Sequence, residues 1–119
     1  MSGSVHWVRE GDIKEGKLDA FKELMAEMVE AARAEEPDTL NYEWFLSDDG
    51  QRCQISERYK DSAAAMAHLA SFGRRFAERF MAVLTPTRMV VFGDPDDAVR
   101  GALSGFDPAY YTLIGGFAR

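Results

Sequence analysis

The chain contains a single cysteine, Cys53, which excludes an intrachain disulfide and any multi-cysteine metal site. Histidine is nearly as scarce. His6 and His68 stand too far apart in sequence to form a ligand spacing for zinc or non-haem iron, so no metal is expected. Basic residues number 14 against 20 acidic ones and are scattered, the densest group being Arg74, Arg75 and Arg79. A net charge of −6 repels phosphate backbones, which argues against nucleic acid and anionic membranes as partners. No stretch approaches the ~18 consecutive apolar residues of a membrane-spanning helix. The opening MSGSVHWVREGD has no basic segment followed by an apolar run, so a cytoplasmic protein is expected. Phosphate-binding loops, the Gly-x-Gly-x-x-Gly fingerprint and the Gly-x-Ser-x-Gly elbow are missing too.

What is present can build a core. With 46% hydrophobic and 12% aromatic residues, the 119 residues suit one domain, with a core over 5–92 and an appended helix and strand over 95–119. The β-branched and aromatic run Val5 to Arg9 predicts a first strand ended by Gly11 and Asp12. From about Glu15 the apolar residues Leu18, Phe21, Met25, Met28 and Ala32 recur at helical spacing, widened by Leu24 and Val29, and Pro37 marks the end. Thr39 to Ser47 and Gln51 to Tyr59 read as a hairpin around Asp48, Asp49 and Gly50.

Asp61 or Ser62 is placed to cap a second helix carrying Ala65, Met66, Leu69, Phe72, Phe76 and Phe80, with a break at Gly73. Past Pro86 a fourth strand is expected over Arg88 to Phe92, then a short helix over Asp96 to Ser104. A fifth strand is expected over Tyr110 to Phe117, weakened by Gly115 and Gly116. The order β-α-β-β-α-β is the ferredoxin-like split βαβ of the α+β class, with an antiparallel sheet covered by helices on one face. Yet Met89 to Phe92 is apolar without interruption, and Tyr42, Trp44, Phe45 and Leu46 put large groups on both faces. An identical sheet is the simplest cover for the second face, so a homodimeric α+β barrel is expected.

The stretch Glu36 to Leu69, EPDTLNYEWFLSDDGQRCQISERYKDSAAAMAHL, resembles the core of the antibiotic biosynthesis monooxygenase family. The shared features are a proline turn, an aromatic strand entered by Tyr42-Glu43, a strand ending in Glu57-Arg58-Tyr59, and a helix bearing Ala67-His68-Leu69. The likeness extends over roughly Val5 to Phe92. It implies a cofactor-free monooxygenase of quinols, phenols or anthrones, working in a dimeric barrel. Haem-degrading members of that family carry a histidine after the Ala-His-Leu helix and an asparagine on the first strand. Here no histidine follows His68 and the first strand reads VHWVR, so the resemblance implies no haem; a flavin is less firmly excluded.

His68 is the most suggestive side chain, because an imidazole ordinarily titrates near neutrality and serves as a general base. Its spacing from Ala65 and Phe72 puts it on the sheet-facing side of its helix, where a packed, hydrogen-bonded histidine is the plainer alternative. Glu57 and Tyr59 share a strand face with Cys53 and Ile55. A carboxylate on such an apolar face is either paired or readily protonated, which marks a catalytic candidate or a structural partner for His68 or an arginine. Glu43 carries the same ambiguity, with Arg58 or Arg88 as plain partners. Trp44, Tyr42 and Trp7 are candidate walls of a flat pocket or simple core, and Asn41 is a candidate amide donor to a substrate oxygen or a strand-initiating residue. The resulting expectation assigns catalysis to His68 and Glu57, and binding of a small aromatic ligand to Tyr59, Trp44, Asn41 and Glu43. Its rival is a small-molecule-binding dimer without turnover.

Overall fold

Alternation from Val5 through Trp7 and Arg9 drives the first strand, β1, which runs Val5–Ile13 and does not stop at Arg9. Gly11 is absorbed by a register shift between Glu10 and Gly11 in the pairing with the fourth strand, so the residue that was expected to end β1 only bends it. The structure, a computed structural model, describes residues 3–119. Helix α1 (Leu18–Glu35) buries Phe21, Leu24, Met28 and Ala32, while Met25 and Val29 flank the stripe half-buried. It begins later than Glu15 because Gly16, at a φ of +73°, closes a turn before it.

Strands β2 (Thr39–Leu46) and β3 (Arg52–Tyr59) form the hairpin, whose loop is held by Asp49 accepting from Ser47 and from the Gln51 amide. Asp61 caps α2 (Ser62–Arg75) by accepting from the Ala64 amide at 2.9 Å. The break that follows lies at Phe76 and not at Gly73, which sits inside α2. At Phe76 the backbone leaves helical geometry and α3 (Ala77–Val83) turns Phe80 into the core.

Strand β4 runs Leu84–Gly93 and includes Pro86, contrary to the expected start at Arg88. The proline is tolerated because it pairs with Gly11 on one side, while the last strand reaches only Val90 to Phe92 on the other. After α4 (Asp97–Leu103) and a single 3₁₀ turn (Ser104–Phe106), β5 spans only Ala109–Tyr111. The expected strand to Phe117 is not formed. Leu113, Ile114 and Phe117 project into solvent, and Gly116 takes a φ of +96°.

The sheet order is β2-β3-β1-β4-β5, antiparallel except for the β4–β5 pair, which makes this a ferredoxin-like α+β fold with one strand added. Two apolar clusters fill the space under the helices. One gathers Phe21, Leu24, Met28, Ile55 and Phe80 under α1 and α3; the other gathers Val5, Trp7, Tyr59, Met89, Val91, Val99 and Leu103 toward α4. The opposite face bears Val8, Val90, Phe92 and Tyr111 beside Glu10, Gln54 and Arg88.

At Gly11, β1 and β4 approach closely: a Cβ there would lie 2.8 Å from Leu84 Cγ and 2.9 Å from the Thr85 carbonyl oxygen. Gly11→Ala is expected to destabilise the fold by about 1–3 kcal/mol through overpacking, read from the urea midpoint with the slope unchanged. A midpoint equal to wild type would show that β4 yields there.

Candidate active site

The period of two along β3 sends Cys53, Ile55, Glu57 and Tyr59 toward the helices. Glu57 is a carboxylate only 2% exposed, and burial at that depth is unfavourable unless the charge is paired. Three neighbours supply the pairing. Tyr59 donates its hydroxyl to Glu57 Oε1 at 2.5 Å, the Arg9 Nε lies 3.4 Å from Oε2, and the His68 Nε2 lies 3.4 Å from Oε1. The other imidazole nitrogen, Nδ1, is 2.8 Å from Glu36 Oε1 at the end of α1. One continuous polar path therefore runs from Glu36 through His68 to Glu57, with Tyr59 and Arg9 at its inner end.

Aromatic rings enclose this path. Tyr42 meets His68 edge-on at 5.1 Å between ring centroids, Tyr59 lies 5.2 Å from the same imidazole, and Trp7 lies 4.8 Å from Tyr59. Burial, with the charge of Glu57 adding to it, pushes the phenols of Tyr42 and Tyr59 well above their ordinary range, so both stay protonated. Burial likewise pushes the Cys53 thiol up to about 12, which removes it as a thiolate nucleophile at neutral pH. Among the described residues the buried indole nitrogens of Trp7 and Trp44 find no hydrogen-bond partner.

Of the residues singled out from the sequence, His68, Glu57 and Tyr59 converge, and Trp44 borders them through its edge contact with Tyr42 at 5.8 Å. Asn41 and Glu43 do not join them. Their register partners on β3 are Arg58 and Ser56, on the face away from the helices, and Asn41 Nδ2 donates to Glu43 Oε1 at 2.6 Å. Glu43 is thus paired with Asn41 and with neither arginine considered for it.

Arg9 and Glu36 were not foreseen. For Arg9 a signal existed, because it continues the inward row of Val5 and Trp7. For Glu36 there was none, since its meeting with His68 depends on how α1 docks. Arg9 also borders a cleft of about 390 Å³ between α3, β4 and the 3₁₀ turn, walled by Phe80, Leu84, Met89 and Phe106. Among the described residues no group of three or more His, Cys, Asp or Glu side chains is arranged to hold a metal ion.

Burial alone would favour the protonated form of Glu36. The hydrogen bond and charge of His68, the Thr39 hydroxyl at 2.9 Å and the charge of Arg75 outweigh it and hold the carboxyl below its ordinary range. A carboxyl that titrates lower folded than unfolded contributes stability above the ordinary carboxylate value, and that stability is lost as pH falls through the folded value. Glu36→Gln is therefore expected to be less stable than wild type by about 1 kcal/mol at neutral pH, with the gap closing below about pH 4. Urea unfolding at both pH values checks this; a gap that does not change with pH would refute it.

No curated protein matches the chain in sequence. Among solved structures, MupZ from Pseudomonas fluorescens aligns over 100% of this chain and 91% of its own, at 26% identity and a TM-score of 0.87. SnoaB from Streptomyces nogalater, a cofactor-independent oxygenase, aligns over 80% of this chain and 96% of its own, at 18% identity and a TM-score of 0.66, a likeness of fold. The family profile for antibiotic biosynthesis monooxygenases matches residues 4–83, which takes in β1 through the end of α3 and every member of the buried polar path. The chain belongs to the antibiotic biosynthesis monooxygenase family.

Proposed function

We propose that this protein is a cofactor-independent monooxygenase of a small electron-rich aromatic, a quinol, phenol or anthrone. Membership of the family supports the monooxygenase-like role. The observation that carries the reading is Glu57, a carboxylate sealed in the layer between sheet and helices and held at once by Tyr59, His68 and Arg9. A phenol or anthrone reduces dioxygen itself once it loses a proton, so the protein must supply a base, a dry site and groups that stabilise the anion.

In this mechanism the substrate proton passes to the Glu57–His68 pair, and Glu36 holds the imidazole from its far side. The Arg9 guanidinium stabilises the anion, and the Tyr59 hydroxyl joins it once protonation of Glu57 frees the hydroxyl from that carboxylate. The anion passes an electron to dioxygen, the radical pair combines to a peroxide, and loss of water leaves a carbonyl. One oxygen atom ends in the product and the other in water, so the reaction balances without a cofactor. His68 acts through Glu57, because its Nε2 faces Glu57 Oε1 at 3.4 Å and its Nδ1 is engaged by Glu36. Trp44 and Tyr42 serve as walls; Asn41 and Glu43, on the other face of the sheet, have no part.

That same enclosure favours a second reading, a binding protein without turnover in which His68 and Glu57 only hold the core together. Oxygen uptake with a panel of hydroquinones and anthrones separates the two. Wild type is expected to consume oxygen, and His68→Ala to lower turnover by roughly a hundredfold or more, as for loss of a general base. If wild type consumes none and the variant only loses about 1–3 kcal/mol of stability, the cluster is structural.

We further propose a cytoplasmic homodimer joined through the open sheet face, without nucleic acid or membrane partners. Val8, Val90, Phe92 and Tyr111 lie there, the last two 38% and 54% exposed. No helix among the described residues is long and apolar enough to cross a membrane. An obligate contact of this kind buries at least about 2,000 Å² in total, so sedimentation at micromolar concentration should give a dimer and Phe92→Asp should shift it to monomer. A monomeric wild type would end the proposal.

A further inference from the structure

We propose that the cleft between α3, β4 and the 3₁₀ turn binds organic anions, and that Arg9 anchors their acidic head group while the cleft walls hold an apolar ring. This deepens the function proposed above by giving the ligand a charge, and it rests on that reading only for what happens after binding.

Arginine stays charged at every accessible pH, and a buried guanidinium is unfavourable unless its donors are satisfied. Arg9 is 7% exposed, and its environment satisfies it only in part. Glu57 stands 3.4 Å from Nε without forming a hydrogen bond, and no other hydrogen bond joins the guanidinium to a described residue. The rings of Phe72 and Phe106 lie 5.1 and 4.9 Å from its central carbon, which supports the positive charge but accepts no conventional hydrogen bond. The terminal nitrogens, away from the Nε side that Glu57 occupies, remain as donors for a carboxylate, the planar two-oxygen acceptor that a guanidinium fork matches best.

The cleft that Arg9 lines fits such a ligand. Its volume of about 390 Å³ is that of a small-molecule site, and Phe80, Leu84, Met89 and Phe106 give it an apolar wall. The one acidic residue on its lining, Glu10, does not oppose an anion at Arg9. Strand alternation turns Glu10 to the opposite sheet face, where it accepts from Gln54 at 3.5 Å. Arg88, the register partner of Glu10, shares that opposite face, so the two charges offset each other at the rim and Arg9 is the cation that an anion in the cleft meets.

The test is calorimetric binding of naphthoate against naphthylmethanol, which share the ring and differ in charge, to the full chain. Wild type is expected to prefer the acid by about tenfold or more, as a charge-assisted pair at a desolvated arginine implies. Arg9→Met should abolish the preference and Arg88→Ala should leave it. If Arg9→Met fails to fold because Glu57 loses its counter-charge, Arg9→Lys and Gly105→Phe carry the test. Lysine keeps the charge but not the fork, so the preference should shrink and not vanish. Gly105 lines the cleft and a Cβ there meets no atom within 4 Å, so a Gly105→Phe ring enters the open cleft and should keep the melting temperature and weaken both ligands. Equal binding of acid and alcohol by wild type, no binding of either, or a preference that survives Arg9→Met or disappears with Arg88→Ala would overturn the proposal. Oxygen uptake on the same samples separates the readings: naphthoate bound through Arg9 with every phenol inert leaves the site standing and removes the monooxygenase, and turnover without an acid preference does the reverse.

Discussion

The buried carboxylate of Glu57 constrains the interior more than any other group. A negative charge at that depth is tolerated only with partners in reach, and each partner comes from a different element: Arg9 from β1, Tyr59 from β3 itself and His68 from α2. His68 in turn engages Glu36 at the end of α1, so both long helices are tied to the sheet through one chain of polar contacts. Directional hydrogen bonds restrict how far a helix can slide, which apolar packing alone does not. The aromatic enclosure of Tyr42, Trp7 and Tyr59 keeps water away and thereby strengthens each of these contacts.

The sheet presents two faces of different character. Toward the helices, Val5, Trp7, Ile55 and Val91 are buried completely or nearly so, and the polar exceptions are the members of the Glu57 cluster. Away from the helices, apolar Val8, Val90 and Phe92 alternate with Glu10, Gln54 and Arg88, a mixture suited to an interface between copies more than to a monomer's core. The chemistry and the association proposed for this protein therefore occupy opposite sides of the same strands. Asn41 and Glu43 belong to the association side, which explains why they stand apart from the residues they were grouped with from sequence.

Strand identity, helix stripes and the split βαβ order were legible because each rests on local periodicity: two along β3, between three and four along α1. Of the boundaries that were misjudged, three trace to a contact distant in sequence. Gly11 was expected to end β1, but its missing side chain lets Leu84 approach, so the strand continues through a bulge. Pro86 was expected to precede β4, but it lies where that strand has no second neighbour. The helix break fell at Phe76 because Phe80 has to reach the core, while Gly73 faces open space.

By itself the sequence determined the fold class, that Glu57 and Tyr59 share one face of β3, and the inward side of α2 that carries His68. All three follow from residue spacing within one element, where covalent geometry sets direction. Only the tertiary structure decided that Glu36 meets His68, that Arg9 meets Glu57 and Phe106, and that a cleft opens beside Arg9. Those meetings depend on strand register and on the angle at which each helix docks. Both are outcomes of packing summed over the whole core, and no local pattern in the chain encodes that sum.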